Sequence, residues 1–202
     1  MEYIKPLKLS TSEVNIWFTS DTHFGHRNII KFCNRPWNTV EEMDNALIEN
    51  WNKVVKPEDI VFHLGDFAFA TNGRWKEIIN SLNGHIYLIV GNHEELRYPG
   101  HQTFDLFEGV ASQLLLNIDG RYVYLNHYPF LCYGGTYRGP NHAVIQLYGH
   151  VHSNQNNENK DTSRLNMTFP YQYDVGVDNN NYYPISWNQI LDIINSKIEN
   201  NG

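Results

Sequence analysis

The heptapeptide Gln146-Leu147-Tyr148-Gly149-His150-Val151-His152 sets two histidines one residue apart, directly after a short apolar run. On an extended chain residues i and i+2 point to the same side, so two imidazoles would face one point in space. Four other places repeat the pattern of an apolar run ending in ligand-type residues. Asp21-x-His23 follows residues 14–18, Gly65-Asp66 follows 60–64, Gly91-Asn92-His93-Glu94 follows 86–90, and His127 follows 122–125. Each has a plain alternative: Asp21 could cap a helix, Asp66 and Asn92 could form turns, and His127 could be a buried hydrogen-bonded ring. Five such accidents at five run ends are less credible than one shared site. It would gather two Asp, one Asn and four or five His. Imidazole with carboxylate suits Zn, Mn, Fe or Ni, whereas Ca and Mg take oxygen shells. Seven candidate ligands exceed one tetrahedral ion and suit two ions that share a carboxylate.

The elements that must position these residues are strands. The five apolar runs are short and rich in β-branched and aromatic residues, as buried strands are. Gly65, Gly91 and Gly149 precede candidate ligands and allow a sharp turn or a close backbone approach. Helices are expected between some of the strands. Thr39-x-x-Glu42 is a capping box, followed at helical spacing by Val40, Met43, Leu47, Trp51 and Val54. A second helix is expected over residues 74–80. A last one is expected after Pro184, opened by Ser186-x-x-Gln189 and carrying Ile190, Ile193, Ile194 and Ile198. Strands alternating with helices imply an α/β core, and the later strands with little helix between them favour two packed sheets. In open α/β sheets ligands gather outside the carboxyl ends of the strands, where the five clusters stand. Residues 131–141 and 153–166 read as irregular loops beside the clusters, the second equally readable as a solvated loop.

The bulk numbers narrow the function classes. The chain has 202 residues, which fits a single domain over 1–202. A net charge of −7 argues against coating nucleic acid, but not against a hydrolase whose bound cations supply local positive charge. Cys33 and Cys132 have no CxxC spacing, so neither a disulfide framework nor a zinc finger is expected. The N-terminal residues lack a signal-peptide core and no run approaches a membrane span, so the expected location is cytoplasmic.

Taken in order, Asp-x-His, Gly-Asp, Gly-Asn-His-Glu, His and Gly-His-x-His resemble the calcineurin-like metallophosphoesterases. The contexts FTSDTHFGHRNII and HLGDFAF are similar to small bacterial and phage phosphoesterases of that superfamily. The resemblance implies a four-layer sandwich of two mixed β-sheets flanked by helices. It assigns Asp21, His23, Asp66 and His152 to a first divalent ion. Asp66 would bridge to a second ion held by Asn92, His127 and His150, with Mn the expected metal and Fe, Zn or Ni also suited. His93 matches the position of the general acid. Two ions roughly 3.5–4 Å apart would clamp a phosphoryl group and acidify a bridging water, and the resulting hydroxide would attack phosphorus in line. Two carboxylates against two divalent ions leave the centre net positive and attractive to an anionic ester.

One departure narrows the substrate. Protein phosphatases of the superfamily continue Gly-Asp with an Asp-Arg-Gly extension; here the chain reads Gly65-Asp66-Phe67-Ala68-Phe69-Ala70. The Asp that orients the acid and the phosphate-binding Arg are both missing, which disfavours a phosphoprotein. Phe67 and Phe69 suggest an apolar wall, with core packing the alternative for at least one. Substrate contacts are expected from His26, three residues past a ligand, and from Arg27 and Arg35. With Lys31 between them, Arg27 and Arg35 could line one face of a short helix ended by Pro36; Arg138 is another candidate. Tyr128, Tyr133 and Tyr137 could stack a base or pack loops. The expected partner is therefore a phosphate ester, with a nucleotide, cyclic nucleotide or short nucleic acid as the diester reading. A phosphomonoesterase, a non-catalytic scaffold of the same fold and a purely structural metal site are the alternatives.

Overall fold

Along the central strands, successive side chains serve two different cores. The computed structural model describes residues 6–97, 102–136, 138–139, 142–153 and 170–199. In β3 (Ile60–His63) and β4 (His85–Ile89), Val61, Ile86 and Leu88 face a helical layer, while Phe62 and Ile89 face a second sheet. Ile16 and Phe18 of β2 (Ile16–Thr19) join that inner core. This alternation is the period-two signature of a strand buried on both faces.

The remaining described strands are β1 (Leu7–Leu9), β5 (Gly109–Ala111), β6 (Gln113–Ile118), β7 (Arg121–Asn126), β8 (Ile145–Tyr148), β9 (Gln172–Asp174) and β10 (Ile185–Ser186). Among the described residues they complete two mixed sheets of five strands, ordered β10-β2-β3-β4-β5 and β1-β6-β7-β8-β9. In the first, β2 to β5 run parallel; in the second, β7, β8 and β9 do. Parallel order brings the carboxyl ends of β2, β3 and β4 to one edge of the first sheet, and those of β7 and β8 to one edge of the second.

Helices flank the sheets. α1 (Arg27–Phe32), α2 (Val40–Val54) and α3 (Asn72–Ser81) bury Ile29, Met43, Leu47, Trp51, Trp75 and Ile78 in the core that includes Val61, Ile86 and Leu88. The capping box forms: Glu42 N–H donates to Thr39 Oγ1 at 3.2 Å, and Thr39 N–H donates to Glu42 Oε2 at 3.3 Å. Such a cap contributes about 0.5–2 kcal/mol. α4 (Asn92–Arg97) starts at a candidate ligand, and α5 (Trp187–Glu199) packs Trp187, Ile190 and Ile194 into the inner core. Gln189 N–H and Ser186 Oγ, with Ser186 N–H and Gln189 Oε1, close the expected second capping box. On the outer face of the second sheet, Gln146 and Gln172 pin the segment after β7 through Phe130 N–H, Tyr128 C=O and Phe130 C=O. None of the described helices is long and apolar enough to cross a membrane. Apart from Ser153, the loop expected over 153–166 lies outside the described residues, as does Tyr137.

The expected basic face on α1 is corrected by the structure. The helix stops at Phe32, and Asn34 takes a left-handed backbone (φ 50°) that turns the chain inward. Arg35 therefore leaves the line of Arg27 and Lys31 and is buried.

Candidate metal centre

Five of the seven candidate ligands sit on left-handed backbone: Asp21 (φ 57°), His23 (51°), Asp66 (55°), His150 (71°) and His152 (46°). Non-glycine residues rarely hold this conformation, and clusters of it mark functional sites. Here it turns each strand end sharply enough to aim a side chain back across the edge of its sheet. Gly65 turns likewise (φ 95°). Gly91 and Gly149 are needed for room: a Cβ on Gly91 would lie 2.5 Å from Asp66 Oδ1, and one on Gly149 would collide with Ser20 Oγ and Asp21 Oδ2.

All seven expected ligands come together. Asp66 lies at their middle, with Oδ1 accepting from His93 N–H at 3.0 Å. Its Oδ2 lies 3.6 Å from His23 Nε2, 3.6 Å from His127 Nε2 and 3.7 Å from His93 Nε2. On one side Asp21, His23 and His152 offer ligand atoms within 4.8 Å of one another; on the other, Asp66, His127 and His150 do the same. Asn92 Oδ1 completes the second group, 2.9 Å from His127 Nε2 and 2.9 Å from His150 Nδ1.

This donor set fits divalent cations. His127 Nδ1 donates to Leu64 C=O at 2.7 Å, so in the neutral ring Nε2 is an acceptor that faces Asn92 Oδ1 and Asp66 Oδ2. Acceptors converging on acceptors suit a positive guest. His23 Nε2 is buried without a hydrogen-bond partner. Burial, with His152 and Arg35 nearby, holds the His23 ring well below the ordinary imidazole range and keeps its lone pair available. Burial also pushes the Asp66 carboxyl up to about 7, with Asp21 and Glu94 adding to the effect against His127. Crowded buried carboxylates beside several imidazoles are the electrostatics of a site built around cations.

His93, the candidate acid, is partly exposed at the edge of the centre, its ring edge-on to Phe69 and His23. His26 reaches the same place, stacked on Phe69 with centroids 4.6 Å apart. Of the two phenylalanines after Asp66, Phe67 is fully buried against Trp75 and Phe107, and Phe69 walls the site. Tyr128 lines the opposite flank, 4.8 Å from the His150 ring, while Tyr133 packs on Tyr124 and Phe130. Arg27 is exposed at the start of α1. Arg35 is not a substrate contact. Its guanidinium is sealed behind the site, paired with Asp178 at 2.8 and 2.9 Å, and cannot reach a bound ester.

Three carboxylates escaped the sequence reading. Glu94 is buried and accepts from the N–H groups of Asp66, Phe67 and Gly91, each at 2.8 Å, stapling the end of β3 to that of β4. Its signal was its place in the first turn of a helix inside a ligand motif. Asp174 accepts from Gly176 N–H and from both the N–H and hydroxyl of Ser153, next to His152. Asp178 accepts from His152 Nδ1 at 2.7 Å. Nothing local in the sequence distinguishes Asp174 or Asp178 from turn residues.

Two mixed sheets whose carboxyl edges gather carboxylates and imidazoles define a metallohydrolase-type site. Residues 14–183 match the family model for calcineurin-like phosphoesterase. A relative from Mycobacterium phage D29, the Gene 66 protein, is 30% identical over 81% of this chain and 88% of its own. An uncharacterized protein of Methanocaldococcus jannaschii is 42% identical over 57% of this chain and 74% of its own. The crystal structure of a protein of unknown function from Aquifex aeolicus superimposes with a TM-score of 0.68 at 26% identity, covering 89% of this chain and 99% of that one. The chain belongs to the calcineurin-like phosphoesterases, metal-dependent hydrolases of phosphoric esters.

Proposed function

We propose that this chain is a dinuclear phosphodiesterase, with Mn²⁺ its working metal and a nucleotide, cyclic nucleotide or short nucleic acid its substrate. The observation that carries the reading is the position of Asp66 Oδ2, 3.6 Å from His23 Nε2 on one side and 3.6 Å from His127 Nε2 on the other. A carboxylate so placed is a shared ligand. Asp21, His23 and His152 would hold one ion, and Asn92, His127 and His150 the other. Two divalent ions there would acidify a shared water and clamp the phosphoryl oxygens.

The chain's own residues do the rest. His93, reaching the mouth of the site, gives a proton to the leaving alkoxide. Its backbone N–H holds Asp66 Oδ1, so the acid and the shared ligand keep a constant spacing. Phe69 and His26 exclude water on the His93 side, and Tyr128 does so beside His150. Flat walls on both flanks favour an ester with an organic group on each side of phosphorus. Arg35 turns inward, so of the two arginines expected beside the site only Arg27 remains exposed to meet a charged phosphoryl group.

The test is hydrolysis of bis-p-nitrophenyl phosphate and p-nitrophenyl phosphate by Mn²⁺-loaded protein, beside Asp66→Asn and EDTA-treated controls. Preferred diester cleavage, absent from both controls, is the expected result. Monoester preference would move the reading to a phosphatase. Turnover that survives in Asp66→Asn would reject the shared-ligand centre.

A further inference from the structure

The five N–H donors of Arg35 are all engaged, and none points toward the open site. Nε and Nη2 donate to the two oxygens of Asp178 at 2.9 and 2.8 Å. Nη2 also donates to Asp21 C=O at 2.7 Å, and Nη1 to Thr22 C=O at 2.9 Å and to Met43 Sδ at 3.4 Å. Both charged side chains are fully buried. The Asp178 oxygen that takes the Nη2 bond also accepts from His152 Nδ1, at 2.7 Å. One ion pair therefore touches the backbone of one candidate ligand and the ring of another.

That geometry decides which ring nitrogen of His152 faces Asp178. A carboxylate can only accept, so Nδ1 carries a proton, and Nε2, 3.8 Å from Asp21 Oδ1, is the nitrogen left to meet a metal. Histidine ligands are commonly oriented by such a carboxylate on the far nitrogen, and its loss costs about 10- to 100-fold in metal affinity. An isolated buried carboxylate would be costly, and the bidentate, fully donating guanidinium is what keeps Asp178 charged there. In the other group of ligands, His127 Nδ1 donates to the Leu64 carbonyl, and His150 Nδ1 faces Asn92 Oδ1.

We infer that Arg35 and Asp178 are positioning residues for the Asp21–His23–His152 ion alone, with Asp178 setting the tautomer of His152 and Arg35 fixing Asp178 together with the Asp21 main chain. The inference rests on the dinuclear reading above. Asp178→Asn keeps the shape but can turn an amide N–H toward His152 Nδ1, which would move the ring proton to Nε2, the metal-facing atom.

Mn²⁺ titration of the metal-free chain, followed by electron paramagnetic resonance and calorimetry, separates the two ideas. The wild type should bind two ions; Asp178→Asn should bind one unchanged and the other about 10- to 100-fold more weakly. Arg35→Lys should behave likewise, since one ammonium cannot replace five planar donors. Two ions bound as in the wild type would overturn the inference, and so would equal weakening of both in a chain whose circular dichroism is native. Should both variants fail to fold, the imidazole ¹⁵N shifts of Zn²⁺-loaded wild type still decide. A proton on His152 Nδ1 supports the assignment and one on Nε2 rejects it. A wild type that binds a single ion at His152 would sink the dinuclear reading while leaving the tautomer test standing; one that binds none would sink both.

Discussion

Around Asp21, His23 and His152 the positioning groups include a charged pair brought from far along the chain, beside the His150 N–H that donates to Asp21, whereas around Asp66, Asn92 and His127 they are main-chain groups and one carboxylate. The first half depends on a buried pair whose members stand 143 residues apart, Arg35 and Asp178. The second is stapled by Glu94 to amides 27 and 28 residues away and by the carbonyl of Leu64 to His127. A buried ion pair is expensive to desolvate, and removing one partner strands the other. Backbone acceptors carry no net charge and cannot be mutated away. The contrast shows how one centre can join two sheets. The first half ties the end of β2 to the segment after β9 by a buried ion pair; the second ties the β7 and β8 ends to those of β3 and β4 through a backbone carbonyl and the Asn92 amide oxygen.

The substitution with the largest expected effect removes the ligand that the halves share. Asp66→Asn should abolish binding of both ions and all turnover, read by metal analysis and diester hydrolysis. It should also stabilise the metal-free chain. The folded Asp66 carboxyl lies at about 7, above its ordinary 3.8, so the folded metal-free chain keeps a proton there that the unfolded chain has lost. Stability from this group is full below about pH 4 and falls as pH rises through about 7. Asparagine escapes that loss, so above about pH 7 the EDTA-treated variant should melt higher than the EDTA-treated wild type. A lower melting point would break the electrostatic account of the centre.

His93→Ala should lower kcat by about 10²- to 10⁴-fold for alkyl leaving groups and far less for p-nitrophenolate, with both ions retained. An equal loss on both substrates would remove the proton-donor role. Arg35→Ala isolates the charged half: stranding the Asp178 carboxylate should cost about 3–5 kcal/mol of stability, or about 2–4 °C of melting temperature for each kcal/mol. Asp178 sits at about 2, below its ordinary value, so its stabilisation is present above about pH 4 and lost as pH falls through about 2. Arg35→Ala should therefore blunt the acid limb of the stability–pH curve. Glu94→Gln tests the other half more gently, because one oxygen remains to accept but an amide N–H meets a backbone donor. About 1–3 kcal/mol is expected, with no selective loss of the ion at His152. Phe69→Leu should have the smallest effect, a rise of about 2- to 10-fold in KM for aromatic diesters.

Much of this was legible in the sequence where the determinant is local. The strands ending near Thr19, His63, Ile89, Asn126 and Tyr148 fall within about a residue or two of their apolar runs, because burial and β-propensity are written residue by residue. Both capping boxes formed because each closes over three residues. β1, β5, β9 and β10, of two or three residues each, were not anticipated, since such short strands take their identity from the neighbours they pair with; the six-residue β6 was missed as well.

The sequence by itself determined which residues could bind a metal and that each follows a strand, because ligand chemistry and chain order need no third dimension. Tertiary structure alone decided which atoms face the centre: Nε2 of His23, His127 and His152, but Nδ1 of His150. It also sent Arg35 inward instead of toward the ester, and it recruited Glu94 and Asp178 from positions that look like ordinary helix-start and turn residues. The reason is physical. A ring's free nitrogen and a guanidinium's direction follow from the hydrogen bonds made on their far sides, and here those partners are supplied by segments up to 143 residues away.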